Sequence, residues 1–356
     1  LLLRGVCQGS VLGPLLFLIF INDLPNCLSD SKSILFADDN QIYNSDKNIY
    51  RLAEKINKEI AHLVAWYSCN RLPIHPLKTA LTFFKPTNHD DFKIPVDNDG
   101  NCTLNIVTDF NFNNTEIDQA KKHPVHITNT EPTGAGGTNI LGIYLDPNLN
   151  FKEQVKLAGA KVKSSIYALK KAKEFLPESE CIKLFHAFCR SHINYSVPYL
   201  SICNLETFNQ LKILDRTALR SVFGISMRDS ISHKYKELNI LDLNQLCQTY
   251  MGKFLHRIEK NDVRAGDFNQ VWTKNNTRTN VNLRNAEKFD MPRKIKYQFL
   301  KRHPFISYAV CYNDIPLEIK QIEKISTFTK ALKKYYLTGD ARQAMELLDL
   351  ENILID

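Results

Sequence analysis

No two of the nine cysteines stand in a C-x-x-C pair; Cys7, Cys27, Cys69, Cys102, Cys181, Cys189, Cys203, Cys247 and Cys311 are scattered and odd in number. That argues against both a disulfide scaffold and a zinc finger, and it fits a reducing, intracellular compartment, nucleus or cytoplasm, rather than secretion. No apolar run reaches the ~20 residues of a membrane span. The longest, Val11 to Ile21, contains Gly13 and Pro14, so a buried helix is expected there, and no membrane partner. No signal-peptide layout opens the chain: Leu1-Leu2-Leu3-Arg4 runs into patterned sequence without an initiating methionine, which reads as a piece of a longer protein. Internal repeats are also lacking.

What is present is ordinary in bulk. The 356 residues, 44% hydrophobic and 24% charged, leave room for two or three domains with a sizeable core. A net charge of +8 suits a polyanionic partner, although such a balance is common in proteins that touch no nucleic acid. Ser10 to Asn22 reads as an apolar helix in which Pro14 is tolerated because it falls in the first turn. The β-prone runs Ser33 to Ala37 and Gln41 to Asn44, joined by Asp38-Asp39-Asn40, read as a hairpin. Ile49, Leu52, Ile56, Ile60, Leu63, Val64 and Tyr67 recur at helical spacing, which predicts an amphipathic helix from Asn48 to Cys69. A strand follows at Thr79 to Phe84. Residues 86–138, with eight acidic side chains against three lysines and no periodicity, are expected to be a poorly ordered insert.

Order is expected again in one strand at Asn139 to Asp146 and then in helices. Their predicted buried faces are Val155, Ala158, Val162, Ile166 and Leu169; then Ile182, Phe185, Cys189 and Ile193; then Phe208, Leu211, Ala218 and Val222. Beyond Ile225 the pattern weakens to mixed helix, with a basic stretch from Leu283 to Arg302 and a last helix near Ser326 to Leu337. This is an α+β chain that turns helical towards its end.

Two adjacent carboxylates on a tight hairpin can hold a divalent cation, because the turn presents hard anionic oxygens where a metal also reaches substrate phosphates. Taken alone, Asp38-Asp39 reads equally as a solvated turn. Their neighbours carry the distinction. Arg4-Gly5-Val6-Cys7-Gln8-Gly9-Ser10-Val11-Leu12-Gly13-Pro14-Leu15-Leu16-Phe17, Asn22-Asp23-Leu24-Pro25 and Ile34-Leu35-Phe36-Ala37-Asp38-Asp39 follow one another in order. Further on come Trp66, Asn70-Arg71-Leu72, Lys78-Thr79, Leu141-Gly142-Ile143-Tyr144-Leu145-Asp146 and Tyr312-Asn313-Asp314-Ile315-Pro316. This series resembles the reverse transcriptases of animal non-LTR (LINE-type) retrotransposons, of the jockey-like branch, and apart from the acidic insert the resemblance covers nearly the whole chain.

The resemblance implies a right-hand polymerase: residues 1–147 as the remainder of a palm with the insert at 86–138, residues 148–225 as a helical thumb, and residues 226–356 as a basic, mixed helical C-terminal region. It implies an RNA-directed DNA polymerase acting on template RNA, a DNA primer and dNTP. Asp38 and Asp39 would be the catalytic, metal-binding pair, with Mg²⁺ as cofactor and Mn²⁺ as an alternative. Gln8, Gly9 and Ser10 would lie beside the nucleotide and template. In keeping with this, Gly9 allows close approach to the backbone, Gln8 offers hydrogen bonds and Ser10 is placed to cap the following helix. Lys78 matches a lysine near the triphosphate, and a solvent-facing lysine is the other reading. Leu141-Gly142 matches the primer grip, a simple strand bend being the alternative. Lys152, Lys156, Lys161, Lys163, Lys170, Lys171 and Lys173 face only Glu153 and Glu174 on the following helix. Of these, Lys156, Lys161, Lys163 and Lys170 are the candidate contacts to a nucleic-acid backbone, against the plain reading of a solvated face.

Three positions depart from the family: Cys7 stands in place of a proline, Asn40 of a threonine and Tyr312 of a tryptophan. The family's further aspartate, on a strand well upstream of Gln8-Gly9-Ser10, has no counterpart here. The chain alone is therefore expected not to polymerise. A non-catalytic nucleic-acid-binding remnant is the second reading. A viral RNA-dependent RNA polymerase is the third, disfavoured by Ala37 where those enzymes have glycine.

Overall fold

A computed structural model describes residues 5–7, 9–72, 74, 79–84, 126–127, 137–147, 149–262, 272, 288–289 and 303–341. The chain divides into two compact units, Leu1–Asn148 and Leu149–Asp356. Helices dominate, and the described strands form three two-stranded sheets.

In the first unit, helix α1 (Gly13–Ile21) is followed by a 3-10 turn (Leu24–Cys27), the antiparallel hairpin of β1 (Lys32–Phe36) and β2 (Asp39–Tyr43), and helix α2 (Ile49–Cys69). Ser10 starts α1: its Oγ accepts the Gly13 N–H at 3.0 Å. A Cβ on Gly13 would lie 2.8 Å from that oxygen, so the close turn requires glycine there. The Asn48 side chain starts α2 by accepting the N–H groups of Tyr50 and Arg51 at 2.9 and 3.2 Å. Buried Ile21, Leu24 and Leu63 gather Phe17, Leu35, Ile42, Trp66 and Tyr67 into one small core, which packs α1 and the inner face of the hairpin on α2. Ala53 and Phe83 centre a second core with Ile49, Leu52 and Leu81.

Two expectations are corrected. Helix α1 is not buried: Leu15, Leu16, Leu18, Ile19 and Phe20 are all exposed, Ile19 at 65%. The helix is apolar on every side, and the small core beneath it takes up only Phe17 and Ile21. The single strand expected near 139–146 is also two: β5 (Thr138–Ile140) and β6 (Ile143–Leu145) form a hairpin. Its turn residues Leu141 and Gly142 have φ of 50° and 78°, which turns the chain back where a bend would have let the strand continue. Short strands β3 (Ala80–Leu81) and β4 (His126–Ile127) pair in parallel. The rest of the acidic stretch up to residue 136 lies outside the described residues.

The second unit begins with α3 (Lys152–Ala172). A continuous helical stretch follows: α4 (Glu178–Leu184), a π-helical turn (Phe185–Arg190) and α5 (Ser191–Leu200). Then come α6 (Leu205–Phe223), α7 (Ser232–Glu237), α8 (Leu243–Glu259), α9 (Pro304–Asn313), α10 (Leu317–Lys320) and α11 (Ile325–Thr338). The periodic face of α3 is buried as its spacing predicts, at Val155, Ala158, Val162, Ile166 and Leu169, as are Phe185, Cys189, Ile193, Leu211, Ala218 and Val222. Asp242 and Gln245 form a reciprocal capping box at the start of α8. Gly224 and Gly339, both at positive φ, end α6 and α11. A second core joins α8, α9 and α11 through Leu255, Ala309, Tyr312, Phe328 and Leu332, with Trp272 stacked on Tyr308.

The interior of this unit holds a charge. Arg190, at the end of the π turn, meets Asp215 of α6 through Nε at 2.9 Å and Nη2 at 3.0 Å, and donates from Nη2 to the Leu241 carbonyl at 2.8 Å. The Tyr235 hydroxyl donates to the same carboxylate at 2.7 Å. Both charged side chains are buried. Helices α3 and α6 pack closely: a Cβ on Gly159 would lie 3.1 Å from Leu214 Cδ1.

Candidate active site

The turn of the first hairpin is tighter than the sequence suggests. Asp39 already pairs with Phe36 as the first residue of β2, so the turn itself is Ala37-Asp38. Ala37 adopts φ of 52°, a left-handed conformation that costs an alanine about 1–2 kcal/mol. Asp38 and Asp39 are both exposed, and neither carboxylate has a hydrogen-bond or ion-pair partner among the described residues. Two unengaged carboxylates side by side at the end of a hairpin are hard oxygen donors of the kind that Mg²⁺ and Mn²⁺ take. In chemistry they fit a divalent ion. In number they fall short of a closed site: among the described residues no group of three or more His, Cys, Asp or Glu side chains is placed to hold a metal.

The hairpin is fastened at both ends to α2. At its base, Glu59 of α2 is buried and accepts hydrogen bonds from the loop that feeds β1. Ser29 N lies 3.1 Å from each carboxylate oxygen; Ser29 Oγ, Asp30 N and Ser31 N lie 3.0, 2.6 and 3.2 Å from Oε1. Burial pushes this carboxyl up, but the Asp30 and Ser29 donors outweigh it and hold Glu59 below the usual carboxylate range. The Asn44 amide then closes the base, donating to Asp30 O at 3.3 Å and Ser31 Oγ at 3.0 Å. Near the tip, Asn40, the residue after Asp39, donates to the Tyr67 hydroxyl at 3.5 Å. Sequence reasoning passed over Glu59, because a glutamate on an amphipathic helix reads as a solvated side chain and its partners lie about thirty residues away.

The remaining candidates fall in several places. Gly9 (φ 81°) and Ser10 stand in the loop before α1, and among the described residues, its chain neighbours aside, nothing lies within 4 Å of where a Gly9 Cβ would be. Gln8 and Lys78 lie outside the described residues. Leu141 and Gly142 form the exposed turn between β5 and β6. Lys156, Lys161, Lys163 and Lys170 are exposed on α3 in the second unit, Lys156 within 3.4 Å of Glu153. Cys181 and Cys189 are buried packing residues, as their spacing predicts.

A known family of sequences and a known protein resemble this chain. Residues 2–132 match the family described as reverse transcriptase (RNA-dependent DNA polymerase). Over 271 residues, 72% of this chain, it is 22% identical to a protein of Drosophila melanogaster named "Probable RNA-directed DNA polymerase from transposon BS". The chain spans about a quarter of that relative's length, the matched part being 26% of it. No solved structure matches. The motifs and both matches agree in what this chain is similar to, which is reverse transcriptases.

Proposed function

We propose that the chain is the part of a mobile element's RNA-directed DNA polymerase that carries the metal-binding hairpin of the palm, a helical thumb and the region beyond. The single observation that carries this is the display of the Asp38 and Asp39 carboxylates, unengaged, on and beside a strained two-residue turn within the segment that matches the reverse transcriptases. Asp38 and Asp39 would hold Mg²⁺. A divalent ion bound there supplies activation of the primer 3′-hydroxyl and a counter-charge for the triphosphate. The chain's own residues do the rest. The hairpin aims both carboxylates outward, and the open space at Gly9 leaves room for a nucleotide or template against the backbone. Lys156, Lys161, Lys163 and Lys170 offer phosphate contacts to the template RNA and DNA primer duplex, and Leu141-Gly142 offers a backbone turn to the primer strand. dNTP is the substrate. Asp38 and Asp39 by themselves are fewer anionic ligands than a pair of divalent ions takes, so this chain alone is expected not to polymerise.

The test is primer extension on an RNA template with dNTPs and Mg²⁺, using the full open reading frame with and without Asp38→Ala. Extension that disappears with the substitution, and that the isolated 356-residue chain does not show, is the expected result. Equal extension by the Asp38→Ala protein would refute the reading. Absence of extension from every protein, with retention of salt-sensitive RNA binding through the α3 lysines, would favour a non-catalytic nucleic-acid-binding remnant.

A further inference from the structure

Glu59, not one of the hairpin carboxylates, is the side chain that gathers the hydrogen bonds at the base of the hairpin. Its carboxylate gathers three consecutive backbone N–H groups and one hydroxyl from Ser29, Asp30 and Ser31, immediately before β1 begins at Lys32. Charge-assisted bonds of this kind are roughly twice as strong as neutral ones. Glu59 also shares one face of α2 with Leu63 and Tyr67, at successive four-residue steps. Leu63 sits in the core with Leu35 and Ile42, the middle of the hairpin's inner face. Tyr67 receives Asn40, adjacent to Asp39. From Glu59 to Tyr67 the helix rises about 12 Å, close to the length of a five-residue strand at about 3.3 Å per residue. The same helix face thus meets the hairpin at base, middle and tip.

We propose that this face is a rail that fixes where the hairpin points, and that Glu59 is the positioning residue that holds Asp38 and Asp39 in register for a divalent ion. It touches neither carboxylate. With the loop at 29–31 released, β1 loses its fixed origin and the hairpin pivots about Leu63, spreading the directions in which the two carboxylates point. The inference rests on Asp38 and Asp39 being metal carboxylates.

The test uses the whole chain, with Mn²⁺ affinity read by electron paramagnetic resonance and amide exchange read at Ser29, Asp30 and Ser31. Glu59→Gln keeps the shape but leaves one acceptor oxygen and sets an NH₂ group against N–H donors. Faster exchange at the three amides together with a loss of about tenfold in Mn²⁺ affinity is expected, the size seen when an outer-shell partner of a metal site is removed. Ser29→Ala deletes one donor only and should lower the affinity by about threefold, near the value of one hydrogen bond. It carries the test if Glu59→Gln does not fold. Asp38→Asn separates the two ideas. If it abolishes Mn²⁺ binding while Glu59→Gln and Ser29→Ala bind as tightly as the parent chain, the positioning role is overturned and the metal reading stands. If Asp38→Asn also binds like the parent, both fall.

Discussion

Glu59 in the first unit and Asp215 in the second are both buried carboxylates, and they are held by different kinds of partner. Glu59 is satisfied by the backbone and one hydroxyl of a single loop, in a unit whose first helix leaves five large apolar side chains exposed. Asp215 is satisfied by a guanidinium and a phenol from two other helical segments, inside a bundle in which Val162, Phe185, Ile193, Leu211 and Leu219 are almost wholly buried. The first arrangement governs where one element points. The second ties distant parts of the chain together, so its loss is felt throughout the unit. Position and stability are therefore assigned to different carboxylates.

The comparison breaks most readily at Asp215. Asp215→Ala leaves Arg190 charged and unpaired in the interior, which should cost about 3–5 kcal/mol, seen as a shifted urea midpoint across the second unit. A change below about 1 kcal/mol would mean that water reaches Arg190.

Acid should separate the two units next. Burial brings His256, whose ring stacks on Phe328 at 3.8 Å, down to about 4. The unfolded chain takes up that proton first, at about 6.5. Second-unit stability should thus fall as the pH drops from about 6.5 towards about 4. His256→Phe should remove its share of that fall, leaving the part due to His186, which burial also lowers. Glu59 acts in the same direction but in a lower range: its folded value is depressed, so its contribution is whole above the unfolded value of about 4.3 and is lost only as pH falls below that. Amide exchange at residues 29–31 should stay slow through the range in which the second unit weakens. Loosening of both units in the same pH range would erase the distinction.

The smallest effect is expected at the turn. Ala37→Gly removes the left-handed strain and should stabilise the hairpin by about 0.5–1 kcal/mol, measured as slower amide exchange in β1 and β2. If exchange is unchanged, the turn is not strained, and the rail on α2 alone sets the hairpin.

Much of this was legible beforehand where one period or one turn decides the outcome. The buried stripe of α3, the start of α2 at Asn48, the last helix near 325–338 and the hairpin carrying Asp38 and Asp39 all follow from local spacing and capping. The β5–β6 turn was half visible: Gly142 marks a bend, but Leu141 at positive φ is unfavourable by itself and accompanies the pairing of β5 with β6. Exposure of α1 was invisible, since an all-apolar helix reads as buried whatever surrounds it. The Arg190 and Asp215 pair was equally hidden, because 25 residues separate two side chains that would each read as surface.

The amino-acid sequence by itself determined the local conformations and the chemistry on offer: adjacent carboxylates on a turn, a lysine-lined helix, and a series of motifs in reverse transcriptase order. Only the tertiary structure decided which carboxylates remain unengaged and which are consumed by the fold. A carboxylate's role depends on the donors that surround it, and for Glu59 and Asp215 those donors are delivered by chain segments that meet only once it has folded.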